Sequence, residues 1–68
     1  MIKCGMSYDE VMAMVEEQGW EIVGMKVCEQ YGDEWTEVTI WQGDHAVTVS
    51  VDDEGVYWIQ FIPAWRVG

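Results

Sequence analysis

The chain has 68 residues, of which 50% are hydrophobic, and its 13 Asp and Glu against 3 Lys and Arg give a formal net charge of −10. This length allows one domain, residues 1–68, near the smallest size at which a hydrophobic core holds a fold without disulfides or metals. The charge disfavours direct binding to DNA, RNA or a membrane surface, since their negative groups would repel it, and it favours basic protein surfaces.

The first predicted element is a helix over residues 8–18. Ser7 and Glu10 have the spacing of a capping box, in which each side chain accepts a hydrogen bond from the backbone N–H of the other residue. Gly19 is expected to end the helix in the left-handed conformation, with Trp20 folded back on the last turn. Apolar residues recur at helical spacing on one face, with Met14 beside them, and they are Tyr8, Val11, Met12 and Val15.

Four runs rich in β-branched and aromatic residues follow, separated by turns that contain Gly and Asp. They predict strands at about 20–29, 35–42, 45–51 and 56–62. The connections between these runs are short enough for hairpins. We therefore expect an α+β domain in which one N-terminal helix packs on a four-stranded antiparallel meander sheet, in the order α-β-β-β-β.

Alternation along each strand assigns side chains to the two sides of the sheet. The side that faces the helix is expected to carry Val23, Met25, Val27, Val38, Ile40, Val47, Val49, Val51, Tyr57, Ile59 and Phe61. The opposite side is expected to carry Glu37, Thr39, Trp41, Thr48, Ser50, Trp58 and Gln60. Because tryptophan is enriched in binding hot spots, Trp41 and Trp58 are candidate contacts for a partner or for a second copy. In an alternative arrangement, Trp65 packs across this face.

The acidic residues are predicted to gather at one end of the sheet. In a meander the first and third connections share an end, and a helix antiparallel to the first strand begins near it. Such a cluster resembles the phosphates of a nucleic acid and would compete for Lys and Arg side chains. In the alternative interpretation these acids serve turn conformations and the helix dipole, which leaves the scarcity of Lys and Arg unexplained. The candidate residues are Asp9, Glu10, Glu29, Asp33, Glu34, Asp52, Asp53 and Glu54.

Catalytic chemistry finds little support, and we predict no catalytic residue, no cofactor and no metal site. His45 is the only histidine, and no spacing places a cysteine nucleophile beside it. Residues 52–55 lack the alternating carboxylates of a calcium loop. Cys4 and Cys28 are expected to be reduced thiols of a cytoplasmic protein, since neither a signal peptide nor an apolar run of membrane-spanning length is recognisable.

Two resemblances accompany these features. The corner Gly19-Trp20-Glu21-Ile22-Val23 resembles the G-W-E-[ILV]-V corner between helix and strand in several small bacterial domains of unknown function. By size, acidity and predicted compact fold, the whole chain is similar to the small acidic proteins with which bacteriophages block host defences, including anti-CRISPR proteins that mimic DNA.

The resemblance to phage inhibitors implies a stoichiometric inhibitor, monomeric or homodimeric, that acts in the host cytoplasm. Its partner would be the basic nucleic-acid-binding groove of a nuclease or surveillance complex. A second hypothesis comes from the residues alone, namely a structural or accessory domain that self-associates through its Trp-bearing sheet face or an unprotected edge strand.

Overall fold

The computed structural model describes residues 1–63, which form one helix followed by four strands. The elements are α1 (Tyr8–Gln18), β1 (Glu21–Gln30), β2 (Asp33–Trp41), β3 (His45–Asp52) and β4 (Gly55–Pro63). Neighbouring strands are antiparallel, and their spatial order β1-β2-β3-β4 follows the chain. The predicted α+β meander is therefore confirmed, whereas the placement of Trp65 lies outside the described residues. Within those residues, no helix has both the length and the hydropathy needed to cross a membrane.

Helix α1 begins and ends at the predicted residues, and both of its ends are capped. The Ser7 hydroxyl accepts a hydrogen bond from the Glu10 N–H at 3.1 Å, and the Glu10 carboxylate accepts one from the Ser7 N–H at 3.1 Å. At the other end Gly19 has a φ of 70°, and the N–H groups of Gly19 and Trp20 donate to carbonyls of the last turn. These bonds form the Schellman motif, which turns the chain directly into β1.

The hydrophobic core lies between α1 and the two central strands. Because a helix is about 10 Å wide and strands are about 4.8 Å apart, one helix covers roughly two strands. The helix-facing set predicted for β2 and β3 is accordingly buried, and Ile2 of the N-terminal segment joins it although no pattern indicated this. The buried core residues are Ile2, Val11, Val15, Val38, Ile40, Val47, Val49, Val51 and Val56.

The edge strands leave much of their apolar surface exposed. Met25 of β1 pairs with Val38, and Phe61 of β4 pairs with Val47, so both lie in register with the core. Their side chains are nevertheless exposed, as is that of Val27. A single helix of 11 residues is too narrow to cover all four strands.

Two β-bulges change the predicted sides of edge residues. Val23 is the extra residue of a bulge in β1, and Ile22 takes the place opposite the buried Ile40. Tyr57 is the extra residue of a bulge in β4, and its phenol lies near the Ser50 side chain. Ser50 alternates with core residues of β3, so it lies on the side away from the helix. The prediction that Tyr57 faces the helix is therefore wrong, because the extra residue shifts the alternation.

The N-terminal segment, residues 1–6, is attached to the start of β4. The Gly5 N–H donates to the Val56 carbonyl at 2.8 Å, and the Val56 N–H donates to the Met6 carbonyl at 2.8 Å. The neighbouring Gly55 has a φ of 111°, and a Cβ added there would lie 2.8 Å from the carbonyl oxygens of Gly5 and Met6. Only glycine fits this position without displacing the backbone.

Candidate functional site

The first hairpin ends in a turn of two residues. Pairing of β1 with β2 continues to Gln30 and Asp33, so Tyr31 and Gly32 alone form the connection. This is shorter than predicted, and Asp33 and Glu34 belong to β2 rather than to a loop. The φ angles of 53° at Tyr31 and 82° at Gly32 are those of a type I′ turn, the geometry that suits the twist of a hairpin.

The third hairpin has an equally short turn at the same end of the sheet. Asp52 of β3 pairs with Gly55 of β4, which leaves Asp53 and Glu54 as the connection. The Asp52 carboxylate accepts a hydrogen bond from the Glu54 N–H at 2.9 Å, an interaction that favours this turn. Three consecutive acidic residues are therefore held on a short and well-defined turn.

An open groove lies between these two turns. Because successive strands of the meander alternate in direction, the β1–β2 turn and the β3–β4 turn lie at the same end of the sheet. The two turns border a common space. We call this space the acidic groove. Its carboxylate residues are Asp33, Glu34, Asp52, Asp53 and Glu54, and Gly32, Trp35 and Tyr57 complete its lining.

The start of α1 brings a further carboxylate to this end of the sheet. A smaller groove beside the first is lined by Asp9 together with residues 52–55. Glu10 follows on the same helical turn, with its carboxylate engaged in the capping box. Glu29 is the Cα partner of Glu34 in the β1–β2 ladder. Asp9 therefore adjoins the acidic groove, and Glu10 and Glu29 stand at its margin.

In the part of the chain that the structure describes, no Lys side chain forms an ion pair with a carboxylate of the acidic groove. Within residues 1–63 the one contact of salt-bridge length joins the His45 Nδ1 to the Asp44 carboxylate at 2.5 Å, next to the opposite turn. Lys26 lies in the middle of β1, where its Cα is opposite Glu37. Like charges held together in this way create a negative potential that attracts an approaching cation.

Aromatic side chains lie among these carboxylates, and the sequence did not place them there. Trp35 and Tyr57 line the acidic groove, and Tyr8 lines the two smaller grooves beside it. The Trp35 Nε1 donates a hydrogen bond to the Glu37 carboxylate at 3.3 Å. The available signal for Trp35 and Tyr57 was hairpin register, because an aromatic residue three positions after a two-residue turn must lie near that end of the sheet.

The Tyr57 phenol remains protonated beside the acidic groove. Partial desolvation raises its pKa above the ordinary value of 10.0, the neighbouring Ser50 hydroxyl lowers it, and the charges of Asp52 and Glu37 raise it further. The direction of the pKa shift is upward, so the neutral form persists throughout the physiological range. Tyr57 therefore offers a hydroxyl and an aromatic ring without adding negative charge.

The two tryptophans predicted as contact residues lie outside the acidic groove. Trp41 is half-buried opposite Ala46. It ends the 9 residues of β2 that begin at Asp33, roughly 27 Å away at about 3.4 Å per residue. Trp58 is exposed on β4, opposite Ser50. A single partner surface confined to the acidic end would therefore not reach Trp41.

The residues considered for catalysis or metal binding are dispersed. The His45 ring lies 4.9 Å from the Phe61 ring, and its Nδ1 is occupied by Asp44. Cys4 and Cys28 are free thiols. In residues 1–63 no group of three or more His, Cys, Asp or Glu side chains has the arrangement of a metal site.

Replacement of Tyr31 tests the geometry of the first turn. Tyr31 is 95% exposed and has a positive φ, which a bulky side chain disfavours and asparagine tolerates. We expect Tyr31→Asn to raise the free energy of unfolding by about 1 kcal/mol, measured by urea denaturation. Tyr31→Phe is the control and should leave it unchanged. A loss of stability in the asparagine variant would contradict the turn assignment.

Comparisons with known proteins identify no relative of this chain. No protein-family model matches it, and no curated protein or solved structure was found to be similar to it. The resemblance to phage inhibitors therefore stays a prediction, and function has to be inferred from the geometry and chemistry of the chain's own residues.

Proposed function

We propose that this chain is a non-enzymatic binding protein whose acidic groove occupies a basic surface of a partner protein. The observation that carries the proposal is the convergence of carboxylates from two separate hairpins on one groove. No Lys side chain forms an ion pair with them in residues 1–63. An arrangement that serves only to form turns would tolerate neutralising neighbours, whereas one that receives a partner's cations would exclude them.

The groove is suited to rapid association with a cationic surface. Its carboxylate side chains are exposed, so a partner can approach them without rearrangement of the fold. A cation about 4 Å from a carboxylate gains about 1 kcal/mol in water, and more once the interface excludes water. Electrostatic steering of this kind raises the association rate and weakens as salt is added.

The aromatic lining favours arginine among the possible cations. A guanidinium can form two hydrogen bonds with a carboxylate while its plane stacks on an aromatic ring, a combination that an ammonium group makes less well. Trp35 and Tyr57 supply rings within the same groove as the carboxylates. We therefore propose that the partner surface contains arginine side chains, with lysine in a secondary role.

A nucleic-acid-binding groove is the protein surface that best matches this chemistry. Such grooves carry rows of Arg and Lys that hold phosphates, and most of their affinity is electrostatic. In this proposal the chain acts in the cytoplasm as a stoichiometric inhibitor that competes with the nucleic acid. This is the mode of action expected of the anti-CRISPR-like phage inhibitors that the chain resembles.

The proposal is tested by neutralising the groove while the fold is kept. The groove variant carries Asp33→Asn, Glu34→Gln, Asp53→Asn and Glu54→Gln, and it retains Asp52 because that carboxylate stabilises its own turn. The charge-matched control neutralises four exposed acids elsewhere, namely Glu16, Glu17, Glu21 and Asp44. Both variants have the same net charge, so any difference in their affinity for the partner shows the effect of where the neutralised carboxylates lie.

The measurement begins with capture of a partner from bacterial lysate on the immobilised chain at low salt. Affinity for that partner is then measured for all three proteins over a range of salt concentrations. We expect the groove variant to bind about 100-fold more weakly, with a smaller salt dependence, and the control to bind nearly as well as the original. Equal losses in both variants, or no salt-sensitive partner, would contradict the proposal.

A further inference from the structure

The last strand of the sheet is an uncharged edge. The 9 residues of β4 contain no Asp, Glu, Lys or Arg, although the chain has 13 Asp and Glu in all. One side of β4 pairs with β3, and on the other side only Val56 forms backbone hydrogen bonds, with Gly5 and Met6 of the N-terminal segment. Within residues 1–63 the outer edge from Trp58 to Ile62 is therefore open.

The side chains of β4 expose an unusual amount of apolar surface. The exposed fractions are 48% for Tyr57, 59% for Trp58, 38% for Ile59 and 61% for Phe61. Because aromatic side chains present about 150–250 Å² each, these four expose roughly 400 Å² together. Tyr57 and Trp58 lie on the side of the sheet away from the helix, and Ile59 and Phe61 lie on the helix side, so exposed apolar surface borders the open edge on both sides of the sheet.

The opposite edge of the sheet carries features that prevent pairing, and β4 has them only at its ends. Strand β1 has Lys26 near its middle and a bulge at Val23, both of which discourage another strand from pairing. On β4 the bulge at Tyr57 and the missing N–H of Pro63 protect the two ends. Residues 58–62 between them have no such protection.

We propose that this edge pairs with the same edge of a second copy of the chain, antiparallel, about a twofold axis at Gln60. The register places Ile59 opposite the Phe61 of the second copy, and Trp58 opposite its Ile62. Ile59 and Phe61 lie in register with the core residues Val49 and Val47. Ile59 and Phe61 of both copies therefore meet on the helix side, Trp58 and Ile62 of both copies meet on the other side, and the two sheets form one sheet of eight strands.

The charge distribution favours this antiparallel arrangement. The acidic groove lies at the Gly55 end of β4, so antiparallel pairing places the two grooves at opposite ends of the interface. Over 9 residues their separation is roughly 30 Å, compared with a screening length of about 10 Å at 0.1 M salt. A parallel pair would place the grooves side by side.

The expected dimer is weak and depends on concentration. Two copies would bury less than roughly 800 Å² of apolar side-chain surface, because Tyr57 lies outside the paired segment, and would add one strand ladder. This area is below the about 1,200–2,000 Å² of standard interfaces. Its salt dependence has the opposite sign to that of the proposed function. Salt screens repulsion between two chains of charge −10, so it should strengthen the dimer while it weakens binding to a basic partner.

Sedimentation of the full chain tests the dimer independently of any partner. We expect the mass to rise from one copy to two between about 1 µM and 1 mM, and the transition to move to lower concentration as sodium chloride is raised. Monomers at every concentration and salt would overturn the proposal, and so would an association that salt weakens. Neither result bears on the acidic groove.

A lysine at the proposed axis tests the register. Gln60→Lys places two ammonium groups directly opposite each other, and we expect it to weaken the dimer at least about tenfold. Val27→Lys on β1 is the matched control, because that position is exposed on the other edge and the change in charge is the same. The control should dimerise as the original does. An equal effect of the two substitutions, with folding verified by circular dichroism, would overturn the register.

A disulfide at the axis gives a positive test. Opposed residues of an antiparallel pair have Cα atoms about 4.5–5.5 Å apart, within the range that a disulfide spans. With Cys4 and Cys28 replaced by serine, Gln60→Cys should form a covalent dimer under oxidised glutathione. Gln18→Cys, on the exposed helix end, should remain largely monomeric. Equal cross-linking of the two variants would contradict the proposed axis.

Discussion

Gly55→Ala is expected to lower the free energy of unfolding by about 3–5 kcal/mol, which approaches the whole stability of a small domain. The position has a φ of 111°, and a Cβ there would lie 2.8 Å from the backbone oxygens of Gly5 and Met6. The methyl group therefore adds a collision with backbone to an unfavourable conformation. Urea denaturation followed by tryptophan fluorescence measures the loss.

Gly43→Ala separates these two causes. Gly43 has a φ of 106°, but nothing lies within 4 Å of its added Cβ. Its substitution should cost about 1–2 kcal/mol through conformation alone. The difference between the two variants then reports the contact of β4 with the N-terminal segment. Equal losses of stability in the two variants would show that the contact with the N-terminal segment adds nothing to the cost of a Cβ at Gly55.

Ile40→Ala is expected to lower the free energy of unfolding by about 3–4 kcal/mol. Ile40 is 0% exposed and lies at the centre of the sheet, between Ile22 of β1 and Val47 of β3. Removal of its side chain leaves a cavity that strands paired on both sides cannot close. The midpoint and slope of urea denaturation give the change in stability.

Ile59→Ala is the matched control for Ile40→Ala. Ile59 pairs with the core residue Val49, but it lies on the edge strand and remains partly exposed. Its truncation should cost about 1 kcal/mol in the monomer, because water fills the vacated space. Losses of similar size in the two variants would contradict a core centred on α1, β2 and β3.

Much of the fold could be predicted because its signals are local. Ser7, Glu10 and Gly19 fix the ends of α1 through hydrogen bonds within a few residues of each position. The meander follows from connections too short for anything but hairpins. In both cases the neighbouring residues alone determine the geometry.

The errors arose where strand pairing overrides local preference. The strand-like runs were placed at 20–29 and 35–42, which left a loop of five residues, yet pairing continues to Gln30 and Asp33 and leaves Tyr31 and Gly32 in a type I′ turn. Alternation along a strand cannot reveal an extra residue, which is why the bulge at Tyr57 reversed its predicted side. The burial of Ile2 depends on a contact with β4 that no local pattern indicates.

The candidate site was predictable to the extent that it depends on topology. Once the meander is known, the turn carboxylates must share one end, and Asp9 must begin the helix beside them. The aromatic part was misjudged because the prediction considered which side of the sheet a tryptophan occupies but not how far along the strand it lies. Trp41 therefore proved remote from the acidic groove, whereas Trp35 lines it.

The backbone bonds of Gly5 and Met6 with Val56 join the beginning of the chain to its last strand. The strand pairs connect sequence neighbours, so the hairpins can form within microseconds and without closing a long loop. The N-terminal bonds instead close a loop of about fifty residues, which carries a larger entropy cost. We therefore expect this segment to dock last during folding and to detach first, so that unfolding starts where Ile2 leaves the core.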